Sequence, residues 1–213
     1  MIGIIDYGMG NLHSVCSALK RINQPYILSG NPEELHEVDG LLLPGVGSFK
    51  DAMTELEKTG LADFIKKEAA GGKPLMGICL GMQLLFDEST ENGLTKGLGL
   101  LPGKVERFSG TTSEGISYKV PHMGWNNLNF LQNEQPLLRG LDEGYVYFVH
   151  SFVVQTENRE VLAAVANYED VEVPAVVGSG RIMGTQFHPE KSSETGMGML
   201  QNFCRFVEEG KQR

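Results

Sequence analysis

Cys79 has the clearest chemical setting in this sequence. It lies in Gly77-Ile-Cys-Leu-Gly81, where an apolar run from Pro74 gives way to a helical pattern at Leu80. G-x-C-x-G is the thiol counterpart of the nucleophile elbow. There a sharp strand-to-helix turn lifts a reactive side chain clear of the backbone, and glycines two before and two after it remove the crowding. The N–H groups of the following helical turn favour a thiolate and a developing oxyanion. A cysteine after an apolar strand also fits as a small buried side chain. The paired glycines argue against that at Cys79. Cys16 and Cys204 lack them, lie on helical apolar stripes, and are expected in the core.

A thiol nucleophile needs a base, and the base needs a group that orients its ring. His188 stands in Gln186-Phe-His-Pro-Glu190. Residues two apart on an extended chain share a side, so Glu190 can reach the imidazole, with Pro189 stiffening the link, although His-Pro-Glu by itself reads more readily as a solvated His–Glu pair at a strand end. His13, His36 and His122 have no orienting partner nearby in sequence. His150, in Tyr147-Phe-Val-His-Ser151, reads equally as a core or a pocket histidine. Gln83 lies four residues after Cys79 and so shares its helix face.

The other glycine patterns fail as phosphate loops. Gly8-Met-Gly10 and Gly45-Val-Gly47 begin a dinucleotide fingerprint, but His13 and Lys50 occupy the third glycine position. Before Gly103-Lys104, the earlier glycine of a phosphate loop is replaced by Leu98. Acidic residues outnumber basic ones, 27 to 18, and the net charge of −9 argues against nucleic acid or an anionic membrane as partner. The three cysteines form no C-x-x-C, so no zinc site or disulfide framework is indicated, and no cofactor or metal is expected. No apolar run approaches the ~20 residues of a membrane helix, and no secretory leader pattern opens the sequence. The expected location is a reduced cytoplasm.

These residues must be positioned by the elements around them. Short apolar runs at 2–5, 25–28, 41–43 and 74–78 read as strands. Helical stripes alternate with them: Leu12, Val15, Cys16, Leu19 and Ile22, then Phe49, Ala52, Met53 and Leu56 behind a start signal at Ser48 and Asp51, then a helix over 80–86. That alternation predicts a mostly parallel central sheet flanked by helices. From Gly99 the runs become short and β-like, at 105–108, 116–120, 145–154, 161–166, 175–177 and 182–187. They predict additional antiparallel strands, closed by a helix carrying Leu200, Phe203, Cys204 and Val207. With no repeat and no linker, the expectation is one α/β domain over 1–213.

Gly77-Ile-Cys-Leu-Gly-Met-Gln83 together with Gln186-Phe-His-Pro-Glu190 resembles the triad class of glutamine amidotransferase domains. Five further segments narrow the resemblance: Asp6-Tyr-Gly-Met-Gly-Asn11, Pro44-Gly-Val-Gly-Ser-Phe49, Pro121-His-Met-Gly-Trp-Asn126, Tyr147-Phe-Val-His-Ser151 and Glu190-Lys-Ser192. In order, over residues 1 to about 206, they look like the glutaminase subunits of imidazole glycerol phosphate synthases. The resemblance implies the class I amidotransferase fold and a Cys79–His188–Glu190 triad that hydrolyses L-glutamine through a γ-glutamyl thioester. It implies oxyanion donors at Leu80 and in Gly45-Val46-Gly47, and a glutamine pocket lined by Gly47, Gln83, His150 and Ser151. It also implies a heterodimer with a (β/α)₈-barrel cyclase subunit that receives the ammonia. Asn11, Met123, Trp125, Asn126 and Lys191 would then lie on the docking face. Without the resemblance, Trp125 reads as core or interface alike. The alternatives are a paralogous glutaminase feeding another synthase, a silent binding subunit and a cysteine protease. The intact triad residues argue against the silent subunit. A protease would have no need of Gln83 or Trp125.

Overall fold

The computed structural model describes residues 1–210, so the last three positions of the expected domain lie outside the described residues. The chain runs β1 (Ile2–Ile5), α1 (Leu12–Arg21), β2 (Tyr26–Ser29), α2 (Pro32–His36), β3 (Gly40–Gly45), α3 (Phe49–Lys58), α4 (Leu61–Ala70), β4 (Leu75–Cys79) and α5 (Leu80–Leu84). It continues with β5 (Phe86–Ser89), β6 (Thr95–Lys96), β7 (Leu101–Arg107), β8 (His122–Asn127), β9 (Asn129–Phe130), β10 (Tyr145–His150) and β11 (Phe152–Gln155). It ends with β12 (Leu162–Tyr168), β13 (Val171–Ser179), β14 (Ile182–Thr185) and α6 (Ser193–Glu209).

Eight strands form the central sheet in the order β2-β1-β3-β4-β14-β13-β12-β9. The first five are parallel and the last three antiparallel; the change of pattern along the sequence predicts this except at β14, which follows the change and is expected to be antiparallel, yet lies parallel to β4. β1, β3 and β4 are buried along their whole length, which their continuous apolar runs require of strands covered on both faces. One apolar layer packs Val15 and Leu19 of α1 and Leu200, Phe203 and Val207 of α6 against the sheet. The other packs Phe49, Met53 and Leu56 of α3 and Leu61 and Ile65 of α4. Ser48 caps α3 as its sequence predicts, accepting from the Asp51 N–H at 3.2 Å. Two smaller sheets stand beside the main one: β10 paired with β8, and β11-β7-β5-β6.

Several expectations need correction. α5 spans five residues instead of 80–86, because the Leu84 and Leu85 carbonyls accept from Leu98, Leu100 and Leu101 and the chain turns into β5. The run 145–154 breaks at Ser151, whose carbonyl accepts from the Phe108 N–H, so β10 and β11 belong to different sheets. Residues 116–120 form no strand; a single bridge joins Thr111 and Ser117. α4 has no sequence start signal, since Gly60 stands at its cap in the left-handed region with φ 75°. Cys204 is buried as expected, whereas Cys16 is only half-buried at the edge of its apolar layer.

Candidate active site

Cys79 is the last residue of β4, with φ 55° and ψ −112°, a strained conformation that a non-glycine residue keeps only when its surroundings enforce it. The two glycines of the motif are enforced by contact. A Cβ on Gly81 would lie 1.8 Å from the Leu43 carbonyl oxygen of β3, and one on Gly77 would lie 2.5 Å from the Gly81 oxygen. The elbow is therefore wedged against its neighbouring strand. α5 is too short for a large macrodipole, so the open N–H groups of its first turn supply the favourable field at the sulfur.

β14 lies beside β4 in parallel register, Thr185 against Ile78, so the C-terminal ends of the two strands bring His188 to Cys79. His188 is buried, and its Nδ1–H donates to Glu190 Oε1 at 2.9 Å. The route differs from the expected extended link: residues Pro189–Lys191 form a 3₁₀ turn, and that turn swings Glu190 back onto the ring. Ser192 Oγ donates to the His188 carbonyl at 2.7 Å and accepts from the Tyr147 N–H at 3.0 Å, which ties the histidine to β10. The second oxygen of the buried Glu190 carboxylate has no partner among the described residues, so His188 receives the carboxylate's whole attraction. Burial lowers the basicity of His188, but hydrogen bonds and charge from Cys79 and Glu190 outweigh it. The imidazole is held well above its ordinary value. With Nδ1 on Glu190, Nε2 faces the sulfur.

A cavity of about 370 Å³ opens over Cys79 and His188. Val46, Gly47, Leu80, Gln83, His150 and Ser151, all named from the sequence, are among the residues that line it. Val46 is exposed at the rim, and Gly47 has φ 95°, a conformation that suits glycine. Gly45 does not line the cavity. It pairs with Cys79 across β3 and β4, and a Cβ there would lie 2.8 Å from both the Gly81 nitrogen and the Tyr7 hydroxyl. That hydroxyl is buried without a partner among the described residues; burial, then the neighbouring Cys79, push its pKa upward.

Gln83 is buried, and both its amide protons are committed, to the Phe152 carbonyl at 3.0 Å and to Gln186 Oε1 at 2.9 Å. Gln186 in turn directs Nε2 at the Cys79 sulfur, 3.9 Å away. His150 Nδ1 donates to the Phe152 carbonyl at 2.8 Å. Sequence reasoning missed Glu91, among the described residues the one acidic side chain lining the cavity, which accepts from the Phe49 N–H at 2.7 Å. Its signal is faint: a carboxylate in a Ser89-Thr-Glu-Asn-Gly93 turn that looks like an ordinary solvated loop.

The docking residues divide. Met123 and Trp125 of β8 face outward and are more than half exposed, with Tyr147 edge-on to the indole at 5.9 Å. Tyr145 and Val149 of β10 extend the same exposed face, and Val149 also reaches the cavity. Lys191 is exposed in the turn that carries Glu190, and Asn11 is half-exposed at the start of α1. The Asn126 side chain departs from the expectation. It turns inward and donates to the Asn167 carbonyl at 2.8 Å and to His122 at 3.3 Å. Strand alternation explains this, since 122, 124 and 126 share the inner side and 123 and 125 the outer.

Residues 3–206 match the family described as glutamine amidotransferase class-I. The imidazole glycerol phosphate synthase subunit HisH of Halalkalibacterium halodurans is 61% identical over 210 residues, which cover 99% of this chain and 98% of that one. The protein of the same name from Geobacillus kaustophilus is 63% identical over 203 residues, 95% of each chain. A solved structure described as a glutamine amidotransferase superposes with a TM-score of 0.75 at 21% identity, over 97% of this chain and 98% of that one, a likeness of fold.

Proposed function

This chain belongs to the glutamine amidotransferase class-I family, and from that premise we propose that it is the glutaminase subunit of an imidazole glycerol phosphate synthase. It hydrolyses glutamine to glutamate and ammonia in the cytoplasm, for histidine biosynthesis, as one domain over 1–213. The observation that carries the reading is the strained elbow at Cys79 set against the buried His188–Glu190 pair on the next strand end.

The chemistry follows from the positions of these groups. The Cys79 thiolate attacks the side-chain amide carbon of glutamine, and the negative charge developing on the amide oxygen falls beside the Leu80 N–H and the Val46–Gly47 segment. His188 gives its proton to the leaving nitrogen, the C–N bond breaks, and ammonia departs from a γ-glutamyl thioester. His188 then takes a proton from water as the water attacks the thioester; the C–S bond breaks, glutamate leaves, and the Cys79 thiolate and charged His188 are restored. Glu190 holds the ring and stabilises its charged form. Glu91 supplies the negative charge in the cavity that suits the α-ammonium of an amino acid, while Gln83 keeps its carbonyl oxygen for the substrate.

Free ammonia at neutral pH is mostly the unreactive cation, so the product has to pass to its acceptor out of water. A (β/α)₈-barrel cyclase subunit, docked on the exposed Met123, Trp125, Tyr145 and Val149 face at the cavity mouth, would receive it in a one-to-one heterodimer. Exchange of Cys79 for alanine tests the mechanism: glutamate release is expected to vanish while partner binding remains. Retained hydrolysis in Cys79→Ala would remove the proposed nucleophile.

A further inference from the structure

His150 lines the cavity, yet neither of its ring nitrogens is free for a substrate. Nδ1 is bound to the Phe152 carbonyl at 2.8 Å, and a carbonyl only accepts, so Nδ1 carries the proton. Nε2 lies 3.0 Å from His122 Nδ1. In a neutral His150 that Nε2 accepts, so His122 Nδ1 is the donor. His122 Nε2 is then the acceptor that the Asn126 amide meets at 3.3 Å. Both rings are buried and held neutral: burial lowers His122 to about 4, and burial, with the neighbouring His122, lowers His150 to about 3. His122 is further clamped between Phe148 and Tyr168, with ring centroids 4.5 and 4.1 Å away.

The far end of this chain reaches the nucleophile. The Phe152 carbonyl holding His150 also holds the Gln83 amide, which leads through Gln186 to the Cys79 sulfur. The near end begins at Asn126 on β8, the strand whose outer side carries Met123 and Trp125.

We infer that His122 is a positioning residue: by donating Nδ1–H to His150 it fixes that ring, and through the Phe152 carbonyl it fixes the Gln83 amide, in the orientation that binds glutamine. The inference rests on the glutaminase reading. It makes His150 a wall of the pocket held by His122, with no hydrogen bond of its own to give the substrate.

Two variants and one spectrum test it. His122→Phe keeps the stack between Phe148 and Tyr168 but removes both nitrogens. His122→Asn places an amide donor near the Nδ1 position. In the complex with the cyclase, His122→Phe is expected to raise the glutamine KM about tenfold, the worth of roughly one hydrogen bond, with kcat changed less than about threefold. His122→Asn is expected to bring KM back to within about threefold. Nitrogen-15 spectra of the wild-type protein are expected to show His122 and His150 both neutral and both protonated at Nδ1, the tautomer that the free histidine side chain disfavours. Unchanged KM in His122→Phe, or equal damage in both variants, would overturn the inference. So would an Nε2–H tautomer at either ring, even if His122→Phe does not fold. A wild-type complex that releases no glutamate would instead overturn the glutaminase reading, and the tautomers would still judge the chain of hydrogen bonds.

Discussion

At the level of single residues, the candidate nucleophile is legible because the requirements of an elbow are local. An elbow needs glycine two before and two after the reactive side chain, and the sequence displays both. The structure supplies the reason as distances, 1.8 Å for a Cβ on Gly81 and 2.5 Å for one on Gly77. Gly81→Ala is therefore expected to destabilise the fold by about 3 kcal/mol or more, the upper end of overpacking penalties, because the obstacle is the Leu43 backbone and not a flexible side chain. The denaturant midpoint measures this, and a loss under about 1 kcal/mol would mean that β3 yields easily. Glu190 is also legible, although the 3₁₀ turn that delivers it is not. Glu91 and Gln186 gain their places only from contacts 42 and 107 residues away in sequence, to Phe49 and Cys79. No local spacing announces such contacts.

At the level of elements, β8 and β10 show what a periodic reading misses. The apolar run through 145–154 is continuous in sequence, and only the non-local bond from Phe108 to Ser151 divides it. The divided strands place His122 and His150 back to back in the interior, where neither can be charged without cost. Their folded-state values, about 4 and about 3, lie below the ordinary 6.5. At these two rings the unfolded chain therefore binds more protons as pH falls through 6.5, and their contribution to stability rises with pH between about 4 and 6.5 and flattens above. Each ring contributes a slope of at most about 1.4 kcal/mol per pH unit. His122→Phe is expected to remove one ring's share of that acid slope. Urea titrations at pH 5 and pH 7 check it. An identical pH 5 to pH 7 difference in variant and wild type would show that His122 is charged in the folded protein.

At the level of the whole molecule, the division of labour follows from charge and exposure. A chain with net charge −9 is ill suited to gather phosphorylated substrates itself. A cavity with one carboxylate and room for a small amino acid suits glutamine, and an exposed aromatic face beside its mouth suits a protein partner. The first four parallel strands are readable from the sequence because strand patterning changes near Gly99, whereas the parallel placement of β14 beside β4 rests on a non-local pairing that no pattern announces. Of the residues expected on a docking face, Met123 and Trp125 face outward, while the Asn126 amide is bonded to the Asn167 carbonyl. Trp125→Ala is expected to weaken association with the cyclase by about 2 kcal/mol, as loss of a central aromatic anchor does. Binding titration measures this, and unchanged affinity would move the interface elsewhere. The measurement closest to the central claim is glutamate release by the wild-type chain and by Cys79→Ala, each alone and with the purified cyclase and its nucleotide ligand. Slow release is expected from the wild type alone, strong stimulation by partner and ligand together, and none from the variant. Equal release with and without the partner, or by the variant and the wild type, would contradict it.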